Sequence, residues 1–324
     1  LEPTMTTPTP LPRWPALPSA DWHDTIEAVH LWTQVAGKIR LGYAPWQNHS
    51  WSVPLYVSTR GLRTSPIPYG HEAVELEFDF IEHRLDIHTT DAQQRSIPLA
   101  TGSVADFYTA VIEAMRDIDM PVTIYPQPSE IPNATRFDRD TVVRAYAPDH
   151  AYALWRALVA SERVLARFRA DFKGKASPVH FFWGSFDLAT TRFSGRTAPP
   201  HPGGIPNFPD DVAREAYSQE VTSVGFWPGN REAPDPIFYA YAYPTPDGFA
   251  AAQVEPEGAV WLDALGEFVL PYAALLDADD PDTELLAFFG STHQAAANLA
   301  NWDREALECA HPEGPDWWRN RPHR

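Results

Sequence analysis

From Val74 to Phe80 apolar and acidic residues alternate without a break. Val74, Leu76, Phe78 and Phe80 fall on one side, Glu75, Glu77 and Asp79 on the other. A period of two is the signature of a strand with one buried face. Similar runs predict strands at 50–58, 62–67, 84–90 and 95–99, with a further one at 121–126. Helical spacing governs the segment before them. Ile26, Val29, Trp32, Thr33, Ala36 and Ile39 form an apolar stripe, which predicts a helix over Asp21–Arg40 with Ser19 or Asp21 as its N-cap. A second helix is expected from Val104 to Ile118, capped by Ser103.

The second half repeats this order. A long helix is expected over Asp149–Phe172, then strands at 178–183, 186–193, 220–226, 237–243 and 266–270, then a helix over Pro281–Asn301. Leu31-Trp32 in the first leading helix recurs as Leu154-Trp155 in the second. The hairpins VPLYVSTRGLRTS at 53–65 and VHFFWGSFDLATT at 179–191 superpose without a gap. The expected fold is α+β: two similar helix–antiparallel sheet–helix lobes, related by a pseudo-twofold duplication. The first lobe is assigned to 19–125 and the second to 148–305, joined by a connector at 126–147. Segment 1–18 is Pro-rich, and 306–324 is expected to be an irregular tail whose Trp317 and Trp318 would dock on the body. The 33 prolines cluster at the junctions, where they stop helices and stay out of central strands.

Composition narrows the partners. A net charge of −18 opposes binding to a phosphate backbone, so no nucleic-acid partner is expected. No apolar run reaches membrane-span length. The N-terminal stretch lacks the apolar core of a secretory signal, and Met5 reads as the natural start. One cysteine, Cys309, cannot form an intrachain disulfide, which fits a reducing cytoplasm. The sequence leaves the oligomeric state open.

The chemistry concentrates between Ser177 and Asn230, where His180, Asp187, His201 and Glu220 stand among Phe, Trp, Gly and Pro. Such groups are costly to bury unless they pair, bind a metal or react. A type II′ turn at Gly184-Ser185 would put His180 and Asp187 diagonally on one face of a hairpin. They then either share a ligand or form a structural hydrogen bond. His201 stands in PPHPGG, on a Pro-stiffened loop whose Gly203-Gly204 allows close approach of a ligand, or is simply an exposed turn residue. Glu220, at a strand entrance, is a solvated edge charge, a general base or a third metal ligand. His180, His201 and Glu220 would make a two-histidine, one-carboxylate set for iron, zinc or manganese. Asp187 would serve as a catalytic group or as the partner orienting His180.

Arg192 and Arg196 suit an anionic substrate or surface ion pairs. Trp183, Trp227 and Tyr241 would seat an aromatic one, Tyr241 belonging to a strand that shows Tyr239, Tyr241 and Tyr243 on one face. His30, Gln34 and Lys38 share a helix face, read as solvent-facing or as a cleft wall; His49 and Trp51 open the first strand. No nucleotide-cofactor motif is present.

HFFWGSFDL, TRFSGR, PPHPGG, AYSQEV, GFWPG and FYAYAYP, with WPALP, HLWTQVAGK, VPLYVSTRGL and FDFIEHRL, resemble an uncharacterised bacterial family of unknown function over about residues 14–305. The resemblance implies one recurrent architecture and brings no activity. Three functional expectations stand: a metal-dependent enzyme, hydrolytic or oxygen-using, acting on a small anionic or aromatic molecule; a metal-free small-molecule binder using the same cleft; and a structural or interaction protein.

Overall fold

The computed structural model describes residues 13–18 and 22–309. Ser19 and Asp21, the expected caps, and Trp317 and Trp318 lie outside the described residues. The first half runs α1 (His23–Tyr43), β1 (Tyr56–Val57), β2 (Gly61–Arg63), β3 (Ile67–Tyr69), β4 (Glu72–Asp79), β5 (Arg84–Thr89), β6 (Gln94–Pro98), β7 (Gly102–Ser103) and α2 (Val104–Asp117). β8 (Val143–Arg144), in the connector, pairs with β7. The second half runs α3 (Pro148–Ala170), β9 (His180–Phe182), β10 (Asp187–Thr197), α4 (Asp210–Ala216), β11 (Gln219–Trp227), β12 (Ile237–Tyr243), β13 (Val260–Leu262) and β14 (Glu267–Pro271). It closes with α5 (Tyr272–Leu276), α6 (Pro281–Leu299) and α7 (Arg304–Leu307).

Both large sheets are antiparallel, in the orders β1-β2-β4-β5-β6, with β3 also on β4, and β13-β14-β12-β11-β10-β9. The α+β class read from the alternation therefore holds. Val74, Leu76, Phe78 and Phe80 are buried as the period of two requires. Ser103 caps α2 by accepting from the Asp106 amide at 3.1 Å. Segment 121–126, expected as a strand, forms none, whereas α4, β13, α5 and α7 carry too few residues for a periodic signal.

The sheets meet at one reciprocal pair. The Leu55 amide donates to the Phe181 carbonyl and the Phe181 amide to the Leu55 carbonyl, both at 2.9 Å. These residues stand 126 positions apart, the spacing of the gapless hairpin superposition. Hairpin registers nevertheless differ. Leu62 faces Val57 while Leu188 faces Phe181, so the superposition that equates Leu62 with Leu188 does not equate their partners. One apolar cluster runs through both halves, from Ile26, Phe78 and Met115 to Leu188, Phe226 and Phe289.

Two faces of the second sheet have different fates. Leu188, Val224, Phe226, Phe238, Ala240 and Leu270 pack into the core with α3 and α6. Asp187, Ala189, Thr191, Phe193, Val221, Ser223, Tyr239 and Tyr241 occupy the other face, by register and alternation. Loops and the short helix α4 cover that face, in place of long helices.

Candidate functional site: an acid-lined cavity on the loop-covered face

The loop-covered face holds a partly open cavity of about 200 Å³. Its floor is β9–β12, and its walls come from 49–53, Glu130 and the 205–217 segment with α4.

The hairpin that supplies the floor has the expected register, with Phe182 opposite Asp187 and His180 opposite Ala189. Its turn differs. Residues 183–186 form a four-residue loop, closed by the Phe186 amide on the Phe182 carbonyl at 2.8 Å, and Phe186 (φ 63°), not Gly184, takes the left-handed conformation. Glycine is needed at 184 for another reason: a Cβ there would lie 1.9 Å from Glu130 Oε1. α1 sets this loop in place. The Gly37 position leaves no room for a Cβ, which would meet the Trp183 ring at 2.4 Å, and Trp183 Nε1 donates to the Val53 carbonyl at 2.8 Å.

The His30–Gln34–Lys38 stripe is neither a solvent face nor part of the cavity lining: it packs against Ser129 and the Gly184 turn. His30 Nε2 donates to the Gly184 carbonyl at 2.9 Å. Gln34 accepts from the Ser129 amide at 2.7 Å and donates to its carbonyl at 3.0 Å. Lys38 Nζ donates to Ser129 Oγ at 3.0 Å. These bonds hold the connector residue Glu130, at φ 63°, against the cavity, and the Glu130 amide donates to the Pro206 carbonyl at 2.8 Å. The Glu130 carboxyl itself has no hydrogen-bond or ion-pair partner among the described residues. Burial, then the charge of Asp187, pushes it up to about 7, opposed by Lys38. Burial also lowers Lys38 to about 8.

Asp187 is buried and accepts from Ser185 Oγ and from the Tyr239 hydroxyl. Burial raises its pKa, and the two hydrogen bonds offset part of that rise. Tyr239 crosses β11 to make the contact, over Gly225, where a Cβ would meet its hydroxyl at 2.4 Å and the Leu188 carbonyl at 2.6 Å. Tyr241 hydrogen-bonds the Tyr217 hydroxyl at 2.8 Å. Glu267, which opens β14, is likewise raised to about 7 by burial and then by Asp187.

His49 marks the far wall, with φ of 57° there and 58° at Ser50, two adjacent residues in a costly conformation. Its amide donates to Glu215, and its Nδ1 donates to the Ala216 carbonyl at 2.9 Å. That tautomer leaves Nε2 to accept from Lys175 Nζ. Burial lowers the His49 pKa, and Lys175 adds to the effect.

The metal set expected from sequence does not assemble. His180 is fully buried under Trp51, Tyr56 and Phe182, and both its ring nitrogens lack partners among the described residues. It makes no hydrogen bond to Asp187, which has taken Ser185 and Tyr239 instead. His201 stacks on Tyr217 at 4.7 Å and accepts from the Gly203 amide at 3.1 Å. Glu220 is held by Arg196 at 2.6 Å and Ser194 at 2.9 Å, on the opposite face of β11 from Ser223. Among the described residues no group of three or more His, Cys, Asp or Glu is placed to hold a metal ion. Neither arginine lines the cavity. Arg192 lies across the sheet, its guanidinium 3.5 Å from the Phe168 ring centre and donating to the Phe168 carbonyl. Arg196 also ties down the Ala300 and Asn301 carbonyls, at 2.6 and 3.0 Å.

Gly203-Gly204 turns the loop onto α4, with the Gly204 amide on Asp210 at 2.9 Å. A Cβ on Gly203 would collide with that carboxylate at 2.2 Å. Of the aromatic candidates, Trp183 and Tyr241 line the cavity, while Trp227 packs beside it against the Tyr239 cluster. The sequence reading missed Glu130 and Glu267 as site residues. A glycine in a turn opposite a connector carboxylate is not a signal that local spacing carries.

Fold and site together define an α+β protein with a partly open, acid-lined aromatic cavity on the loop-covered face of its second sheet. The chain matches DUF5996, a family of unknown function, over residues 14–309 and belongs to that family. No curated protein and no solved structure matches it. No helix among the described residues is long and apolar enough to cross a membrane.

Proposed function

We propose that the protein binds a small organic molecule in this cavity without a resident metal. The observation that carries the reading is a partly open cavity of about 200 Å³, walled by Trp51, Phe182, Trp183 and Tyr241, into which Glu130, unpartnered among the described residues, and the hydrogen-bonded Asp187 converge. Ligand sites are concave, mostly apolar and carry few oriented polar groups. The net charge of −18 and single cysteine support a small-molecule partner in a reducing cytoplasm over a nucleic-acid partner.

The test is a thermal-shift screen of small aromatic compounds, repeated on Ala216→Trp, which fills the cavity from the end of α4. Hits that stabilise the wild type and not the filled variant support the reading. Hits retained in the filled variant contradict it.

An enzyme is the second reading, favoured by two neighbouring carboxyls in unlike settings. Glu130 is raised to about 7 and lacks a protein partner, while Asp187 is held by two donors. Carboxyls with environments that differ in this way can divide acid and base roles. Mass spectrometry of the hit after incubation separates the two readings: unchanged compound means binding, a new mass means turnover.

A further inference from the structure

We propose that the cavity recognises a protonated amine bearing one aromatic ring, its ammonium group at the Glu130 and Asp187 carboxyls and its ring on the wall of Trp51, Phe182 and Tyr241. This rests on the small-molecule reading above and reverses the anionic ligand expected from Arg192 and Arg196.

Charge placement carries it. Among the residues that line the cavity, Glu130 and Asp187 are the carboxyls, and none is Lys or Arg. The cations nearby are already engaged. Lys38 sits behind Ser129 on α1, and Lys175 donates to His49 Nε2 beyond the cavity wall. Both arginines of TRFSGR are bound elsewhere, on Phe168 and Glu220. An anion entering here would meet two carboxyls with no donor of opposite charge.

Fit and chemistry agree. A cavity of about 150 Å³ takes one benzene ring, so about 200 Å³ suits a ring with a short tail. Aromatic faces add attraction for an ammonium group. Glu130 lies at the WGS turn, with its carboxylate over Gly184, and makes no side-chain hydrogen bond among the described residues. The ammonium's three donors can therefore replace lost water there at no cost to an existing bond.

A cation at this point must also couple to protons. The titratable groups that line the cavity are Glu130 on the connector, Asp187 on β10, His49 at the far wall, and Tyr217, Tyr239 and Tyr241; Glu267 on β14, Lys38 on α1, Lys175 and Glu215 lie behind that lining. Glu130 and Glu267 are held up to about 7 by burial and then by Asp187. An ammonium favours their charged forms, so its binding expels protons, and its affinity rises with pH through that region.

The experiment is calorimetric titration of phenethylamine, 2-phenylethanol and phenylacetate, which share a ring and differ in the charge of the tail. It uses the wild type and Glu130→Gln, with folding of the variant checked by circular dichroism. The amine is expected to bind at least about tenfold tighter than the alcohol, with phenylacetate weakest. Glu130→Gln should weaken the amine by about tenfold and leave the alcohol unchanged. Amine affinity should increase between about pH 5.5 and about pH 8, with net proton release. Equal or tighter binding of the alcohol overturns the cation preference and leaves the small-molecule cavity standing. Failure of all three to bind overturns both.

Discussion

The Tyr239 hydroxyl reaches over β11 to donate to Asp187 on β10, so one hydrogen bond spans three strands of the second sheet. Only a residue without a side chain at the crossing point permits this, and Gly225 occupies it, facing Ala189 on one side and Tyr239 on the other. The contact joins the floor of the cavity to its principal carboxyl. It also explains why a buried aspartate is tolerated beside a second acid: two donors replace part of its lost hydration.

Removing that donor should be costly. Tyr239→Phe leaves one Asp187 oxygen without its partner in a buried setting, a loss of about 1–3 kcal/mol. The Asp187 pKa, already raised by burial, should climb further because a bond that lowers it is gone. Urea denaturation reads the first effect and carbon-detected NMR titration the second. An unchanged Asp187 titration would mean that the bond does not form in solution.

Gly225→Ala tests the crossing. The new methyl meets both the Tyr239 ring carbon Cζ at 2.5 Å and the Leu188 carbonyl at 2.6 Å. Overpacking of this kind costs about 1–3 kcal/mol. Tyr239→Phe in the same chain should give no relief, since the ring and the backbone oxygen remain. In a Tyr239→Ala background, where the ring is gone, Gly225→Ala should cost less than it does in the wild type. Full recovery with phenylalanine would show that only the hydroxyl was crowded, contrary to the geometry.

Periodic features were the legible ones. The alternation at Val74–Phe80, the Ser103 cap and the long helices each rest on neighbours in sequence, and each holds. So does the pairing of Phe182 with Asp187, which follows from hairpin geometry alone. The site did not follow, because its parts are joined by tertiary contacts. HLWTQVAGK and HFFWGSFDL read as separate motifs, yet Gly37 is the seat of Trp183 and His30 holds Gly184. The histidines drew attention as metal ligands because imidazole is rare in apolar sequence. In the fold His201 braces a loop and His180 is packed among aromatic rings. Glu130 lies in a connector with no period at all, and its importance comes from the helix residues Gln34 and Lys38 that hold Ser129 beside it.

The unpartnered Glu130 makes stability depend on pH in a defined direction. Its carboxyl is raised from 4.5 to about 7 in the folded protein, so the native state holds a proton that the unfolded chain has released. Native stability therefore falls as pH rises from the unfolded value through about 7, then levels. Glu130→Gln removes this loss, and the variant should gain on the wild type across that interval. Urea midpoints at about pH 5 and about pH 8 read the gain directly. Parallel midpoints for the two proteins at both pH values would show that the carboxyl is solvated and the cavity open.

His180 gives the opposite slope. Burial, reinforced by the charges of Arg40 and Arg169, lowers its pKa from 6.5 to about 3. The unfolded chain takes up a proton that the folded protein refuses, so this residue costs stability progressively as pH falls from about 6.5 towards about 3. Its ring nitrogens have no partners among the described residues, and its neighbours are the rings of Trp51, Tyr56 and Phe182. An apolar side chain of similar size fits that setting better than an imidazole with unmet hydrogen bonds. His180→Leu should therefore be neutral or stabilising by about 1 kcal/mol at neutral pH. Its advantage should widen on acidification, as the wild type alone pays for the withheld proton. Urea titrations at about pH 7 and about pH 5 check both statements. A variant that loses several kcal/mol at neutral pH would show that the imidazole makes a bond essential to the fold, and that a bound group or water completes it.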